Sequence, residues 1–298
     1  MADRYNRLYT LEENLYATGS PIVISAGALL LDTQTQNAIV QLKLLSLSDK
    51  IIKSVSVKIT AKDTAERVLG DDITYSYLDL NVSQGNFFGA KTPVILPDNS
   101  TRCFSVKVSE VIFENNQIWS DKDAKWVQIP TQTELATVLY PYALKTFKQD
   151  YNSNAKYLPC EFKDITLCAC GAVNKSDSNV CCACGIDFKS LLTLDYKQYN
   201  NDKKYENAVL CSKSEKSEEI NHAIGLFETL SDWKDCTEEI AFCKAEIERL
   251  QKIEEENIKE RKHKEELERK ESERVAKRNK KITIIIGLLH VNSIRGEK

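Results

Sequence analysis

The chain has only three histidines, one methionine and ten scattered glycines among its 298 residues. So few histidines exclude a histidine-rich metal centre, and a methionine confined to position 1 excludes a Met-lined binding surface. No glycine-rich phosphate loop is present, because no two glycines stand at the required spacing after an apolar strand. The opening residues, Met1 to Tyr16, carry charges throughout and lack the apolar centre of a secretory signal. A formal net charge of -3 excludes a broadly basic nucleic-acid binder. No catalytic constellation can be assembled either: His222 and His263 sit in charged helical contexts, and Asp79 and the Phe87-Phe88-Gly89 turn read as sandwich turns rather than a cleft. What remains is a non-catalytic binding or scaffold protein, long enough for two ordinary domains or three small modules.

Structural punctuation is uneven. The last of the six prolines is Pro159, and charge density rises after residue 200, so a strand-and-turn half precedes a helical half. Ile52 to Thr60 alternates, with Val55, Val57 and Ile59 opposite Ser54, Ser56 and Lys58, the period-2 signature of a strand with one wet face. Residues 21–31, 38–47, 73–80, 93–96 and 103–113 continue the pattern between turns rich in Gly, Asp and Asn. This predicts an antiparallel β-sandwich, Ig-like, over 21–130, with residues 1–130 folding without the rest. Thr131 to Glu134 has the form of a capping box, and Pro141 interrupts the helix it starts. Helical spacing then runs through Tyr205, Ala208, Ile220, Ala223, Phe227 and Leu230, with Ser217 and Ser231 as candidate caps. From Glu246 the chain is almost purely charged. Glu precedes Lys or Arg by four at 248/252, 255/259, 260/264, 265/269, 266/270 and 273/277, which supports a solvated helix more than a sustained coiled coil.

Five of the ten cysteines fall between Cys168 and Cys184. Without a secretory signal, such clustering indicates metal in a reducing, cytoplasmic setting rather than a disulfide framework. Two cysteine turns, each closing on a glycine (Gly171, Gly185), face each other across ten residues. Glycine after the second cysteine lets the backbone turn tightly enough for both sulfurs to meet one ion. Cys168, Cys170, Cys181 and Cys184 are the predicted ligands of a closed four-thiolate Zn2+ site, with Cys182 as the spare thiol. Cys103, Cys160, Cys211, Cys236 and Cys243 read as buried, reduced thiols.

The string Cys168-x-Cys170-Gly171-x-x-Asn174, then six residues, then Cys181-x-x-Cys184-Gly185, resembles the short zinc ribbons of many bacterial membrane proteins. Its Asn and second-knuckle spacing also resemble the Ran-binding-protein type zinc finger, with Thr166 in place of that family's Trp. Ala223-Ile-Gly-Leu-Phe227 is similar to the second helix of a tetratricopeptide repeat. Over about 160–289 the chain resembles uncharacterised zinc-ribbon domain-containing proteins of low-GC Gram-positive bacteria, in which a basic stretch and a membrane helix follow. The expectation is therefore a multi-domain, mixed fold: N-terminal segment 1–20, β-sandwich 21–130, helical linker 131–159, zinc ribbon 160–190, tetratricopeptide-like helical hairpin module 191–245, charged helix or coiled coil 246–281, and a truncated hydrophobic segment with tail over 282–298.

The expected partner is a protein or peptide at the sandwich. Nucleic acid is disfavoured because 160–190 carries three Lys against four acids; the alternative of nucleic-acid binding would use the basic stretch at 277–281. Ile282 to Leu289 would reach only about 12 Å as a helix, against ~30 Å of hydrocarbon. Lys277, Arg278, Lys280 and Lys281 precede it, each adding ~1 kcal/mol on an anionic leaflet. Weak, salt-sensitive binding to phosphatidylserine vesicles, mostly lost on deleting 277–289, is expected in a sedimentation assay; salt-independent binding would count against this surface.

Overall fold

A computed structural model describes residues 4–121, 123–231 and 233–295, with side chains given up to residue 279. The first half is built of strands β1 (Tyr5–Thr10), β2 (Leu15–Tyr16), β3 (Ile22–Asp32), β4 (Ala38–Ser46), β5 (Ile52–Lys62), β6 (Ile73–Tyr77), β7 (Phe87–Phe88), β8 (Val94–Ile95), β9 (Cys103–Phe113), β10 (Ile118–Ser120) and β11 (Val127–Gln128). They form two antiparallel sheets. One has the order β11-β2-β3-β4-β7, with β1 also on β3 and β8 also on β4; the other runs β10-β9-β5-β6. A single apolar core joins them: Ile22, Ile24, Leu42 and Leu44 from the first sheet meet Val55, Val57, Ile59 and Val108 from the second, all fully buried. On β5 the alternation in the sequence is the alternation in space, since Ser54, Ser56 and Lys58 are only half-buried on the other face.

β3 and β4 behave differently, and this sets the architecture. Their residues Val23 and Leu45 point away from that core and are buried as well. A third sheet covers them: β12 (Cys160–Phe162), β13 (Ile165–Leu167) and β14 (Val173–Lys175), in the order β12-β13-β14. Ile165 and Leu167 pack with Tyr16, Val23, Leu45, Leu47 and Ile129 in a second core. A strand covered on both faces reads as a continuous apolar run, which explains Ile22-Val23-Ile24 and Leu44-Leu45. Asp164, at the β12–β13 turn, pins the cover in place. Its carboxylate accepts hydrogen bonds from the Tyr16 hydroxyl at 2.8 Å and the Gly19 N–H at 2.9 Å, and pairs with Lys175 at 3.4 Å.

Helices α1 (Leu135–Val138) and α2 (Pro141–Asp150) follow the strands of the first half. Pro141 begins α2 instead of interrupting a helix, because the first helical position needs no N–H. Glu134 takes the N-cap place without a side-chain cap and bridges to Tyr157. Further on come α3 (Phe188–Leu192), α4 (Tyr196–Ser212), α5 (Ser217–Leu230) and α6 (Cys236–Arg295). Leu135, Leu139, Ala143 and Phe147 share a third core with Ala155, Ala169 and Leu191.

The chain divides into two compact units, 1–200 and 201–298. The 1–20 segment supplies β1 and β2, the 131–159 linker is packed into a core, and the 160–190 ribbon covers a sheet, so none of these stands apart from 21–130. A fragment ending at residue 130 would bare Val23, Leu45 and Leu47.

In the second unit Ile220, Ala223, Phe227 and Leu230 of α5 are buried, as are Cys236 and Cys243 of α6. The Tyr205 ring meets Phe227 edge-on at 5.6 Å, and its hydroxyl bonds Asp235. The helical module thus includes the start of α6, and the expected break at 245/246 falls inside one helix. Ser217 is the first residue of α5, not its cap, and Ser231 closes it with φ 48°. α6 has 60 residues, about 90 Å at ~1.5 Å per residue, and its backbone is helical across 281/282 as well. Glu266–Lys270 at 3.2 Å is one of the six pairs read from the sequence; Arg249–Glu246 and Arg269–Glu266 close at i,i+3. No helix among the described residues is long and apolar enough to cross a membrane. The side chains of Ile282 to Leu289 and of Lys280 and Lys281 lie outside the described residues.

Burial opposes ionisation of Asp164, but Tyr16, Gly19 and Lys175 outweigh it and hold the carboxyl below its usual range. A lowered folded-state pKa gives stability that is complete above the ordinary carboxylate range and fades as pH falls through the lowered value. Replacing Asp164 by Ala should therefore cost about 1–2 kcal/mol at neutral pH, the partial exposure of the pair keeping the figure modest. The wild-type advantage in thermal unfolding should shrink as pH falls through and below the ordinary carboxylate range; an advantage that is constant with pH would refute the role.

Candidate metal centre

Cys168 to Gly171 follows β13 directly, and Cys181 to Gly185 precedes α3. Each cysteine turn closes on itself by two backbone bonds, the second turn one residue wider than the first. Cys168 N–H donates to Ala172 O at 2.9 Å and Gly171 N–H to Cys168 O at 2.8 Å; Cys181 N–H donates to Ile186 O at 2.9 Å and Gly185 N–H to Cys181 O at 2.8 Å. Gly171 and Gly185 have φ of 89° and 72°, the left-handed region that glycine enters without strain. At Gly171 a Cβ would also come within 3.1 Å of the Tyr157 ring.

These turns bring the sulfurs of Cys168, Cys170, Cys181 and Cys184 within 4.8 Å of one another, a group able to hold a metal ion. Cys168 and Cys184 are 3.6 Å apart, Cys170 and Cys181 3.7 Å. A disulfide would need ~2.05 Å. The edge of a thiolate tetrahedron around a metal with ~2.3 Å bonds is ~3.8 Å, so the donor set and its spacing fit such an ion. Cys168 is fully buried and Cys181 is 2 % exposed, whereas Cys182 is exposed. Among the described residues histidines join no metal-binding group.

The crowding shows in the acidities. A hydrogen bond to Cys181, reinforced by burial, pushes the Cys168 thiol up, and burial pushes Cys170 up to about 11. Cys181 falls well below the usual thiol range because Cys168 and Cys182 donate to its sulfur. A cation taken up by these sulfurs must expel the thiol protons.

Three supporting residues were not assigned roles from the sequence. Asn174 of β14, fully buried, donates from Nδ2 to the Ala172 carbonyl at 3.2 Å and to the Cys181 sulfur at 3.6 Å, and accepts at Oδ1 from the Cys182 N–H at 2.8 Å, tying the two turns together. Gln132 donates from Nε2 to the Leu158 carbonyl at 2.9 Å and to the Cys168 carbonyl at 3.2 Å. Phe188 packs on Cys168 and Cys181 and keeps water from that side. Of these only Asn174 left a trace in the sequence, as a fixed letter of the motif; Gln132 lies 36 residues from Cys168 and carries no local signal.

The other candidates are not drawn into a site. Gly89 (φ 84°) lies close to β4, where a Cβ would be 3.0 Å from the Leu42 carbonyl, and Phe88 stacks edge-on with Tyr77 at 6.2 Å. That turn is a packing device. Compared with protein-family models, with curated proteins and with solved structures, the chain matches none.

Asn174→Ala should weaken metal binding about 10–100-fold, as loss of a residue that orients a ligand commonly does. Affinity in a competition titration should also fall as pH is lowered, because protons compete for the thiols. Affinity that is flat with pH would argue against thiolate ligation.

Proposed function

We propose that the protein is a non-catalytic scaffold in which a Zn2+ ion, held by Cys168, Cys170, Cys181 and Cys184, locks a ribbon onto an Ig-like β-sandwich. The observation that carries this reading is the position of the four sulfurs. They sit where the third sheet, the segment around Gln132 and the α3 region converge, so the ion would hold together elements distant in sequence. Residues 160–190 have few large apolar side chains, and metal binding worth ~10–16 kcal/mol in comparable peptides supplies what they lack. Four protein thiolates leave no open coordination position for substrate, which favours a structural ion over a catalytic one.

The sandwich is the proposed docking surface for a protein or peptide. A groove of about 630 Å³ beside the third sheet supports this; Lys50, Gln84, Trp119, Asp164 and Lys175 line it. Its two lysines are already engaged, Lys50 with Gln117 and Lys175 with Tyr16 and Asp164, so phosphate has little to bind there. The exposed Lys277 and Arg278 of α6 give a secondary contact with an anionic membrane surface. A cytoplasmic location is part of the proposal, since reduced thiols are required.

Protein purified under reducing conditions should carry one zinc per chain by elemental analysis. Cys168→Ser or Cys184→Ser should lose it, and a chelator should lower the unfolding temperature of the 1–200 unit. Less than half an equivalent of metal, or a melting curve insensitive to chelation, would refute the proposal.

A further inference from the structure

Cys182-Ala183-Cys184-Gly185 repeats Cys168-Ala169-Cys170-Gly171 residue for residue. In the first copy both cysteines belong to the four-sulfur group. In the second only Cys184 does, and Cys181, one residue ahead of the tetrapeptide, takes the remaining place. Both copies end on a glycine of similar conformation, φ 89° at Gly171 and 72° at Gly185. The first copy thus establishes that this tetrapeptide can turn both sulfurs toward one point. Cys182 itself is exposed, and its sulfur rests against the turn at Gly85, where a Cβ would touch it at 3.4 Å.

We propose that Cys182 is an alternate fourth ligand, so that the metal centre has two registers: Cys168/Cys170/Cys181/Cys184 at rest, and Cys168/Cys170/Cys182/Cys184 during exchange with solvent. The proposal rests on the metal-centre reading above. In the exchange the Cys182 sulfur bonds the metal and its proton passes to water. The Cys181–metal bond breaks with both electrons kept by sulfur, and that thiolate takes a proton from water. No oxidation state changes. Asn174 sets the resting register, since its Nδ2 caps the Cys181 sulfur while its Oδ1 holds the Cys182 N–H. Burial closes Cys168 and Cys181 to outside ligands, Cys170 and Cys184 are half-buried, and Cys182 is the exposed cysteine of the five. A chelator or a second thiol would therefore reach the metal by way of Cys182, which makes the centre exchangeable rather than inert.

The test uses the full chain loaded with Co2+, whose visible bands in a tetrahedral site report the number of thiolates. Cys181→Ser should retain one Co2+ with the four-thiolate spectrum, because Cys182 takes the vacant place. Cys168→Ser, which has no substitute, and the double variant Cys181→Ser/Cys182→Ser should both lose that spectrum. Cys182→Ser alone should keep one Co2+ yet pass it to a chelator severalfold more slowly than the parent chain. Loss of the four-thiolate spectrum in folded Cys181→Ser, or transfer from Cys182→Ser at the parental rate, would overturn the alternate register. A parent chain that takes up no Co2+ would overturn the metal centre itself, and the alternate register with it.

Discussion

The burial of Val23, Leu45 and Leu47 beneath Ile165 and Leu167 is the constraint on which the N-terminal unit rests. It turns a two-layer packing of sheets into three layers and draws the cysteine turns, which follow β13 without a gap, onto the same body. Apolar burial supplies the bulk of the attraction and carries no orientation. Direction comes from Asp164, which reaches across 148 residues of chain to the Tyr16 hydroxyl. The two contributions divide the labour between affinity and register. A slip of the third sheet by one residue would leave Ile165 facing solvent and the carboxylate without its donors.

How much of this was written in the sequence follows from the range of each interaction. β5 was legible because its alternation is enforced by one wet and one dry face. The cysteine spacing was legible because the chemistry is local: two turns, two glycines and sulfurs a few residues apart. The covering of the first sheet was harder to see. Ile22-Val23-Ile24 and Leu44-Leu45 signal burial on both faces, but nothing in those residues names the cover. The segment 131–159 looked like a linker because its partners, Ala169 and Leu191, lie beyond the next cysteine turn. Pro141 looked like a break because proline usually ends a helix, and its role as an opening residue depends on where the preceding turn stops.

The four-cysteine group and the outer core are two halves of one device. The core brings Leu167 to the sheet, and the very next residue is Cys168. The opposite turn approaches from α3, and Asn174 links the two through one buried amide. An ion held by these sulfurs would be coupled to the packing around it: strain in the cover would be felt at the sulfurs, and losing the ion would loosen the cover.

The separation in sequence between the sheet and its cover has a consequence for how the chain is made. The outer face of β3 and β4 is complete once Leu47 has been synthesised, whereas Ile165 arrives 118 residues later (165 − 47). At ~5–20 residues per second the interval is ~6–24 s, longer than hydrophobic collapse by several orders of magnitude. Throughout that time a nascent chain presents a folded or folding sheet with a bare apolar back. Until then that face stays open to any apolar surface able to shield it, the chain's own later segments included. Final closure awaits the residues that also carry the thiols.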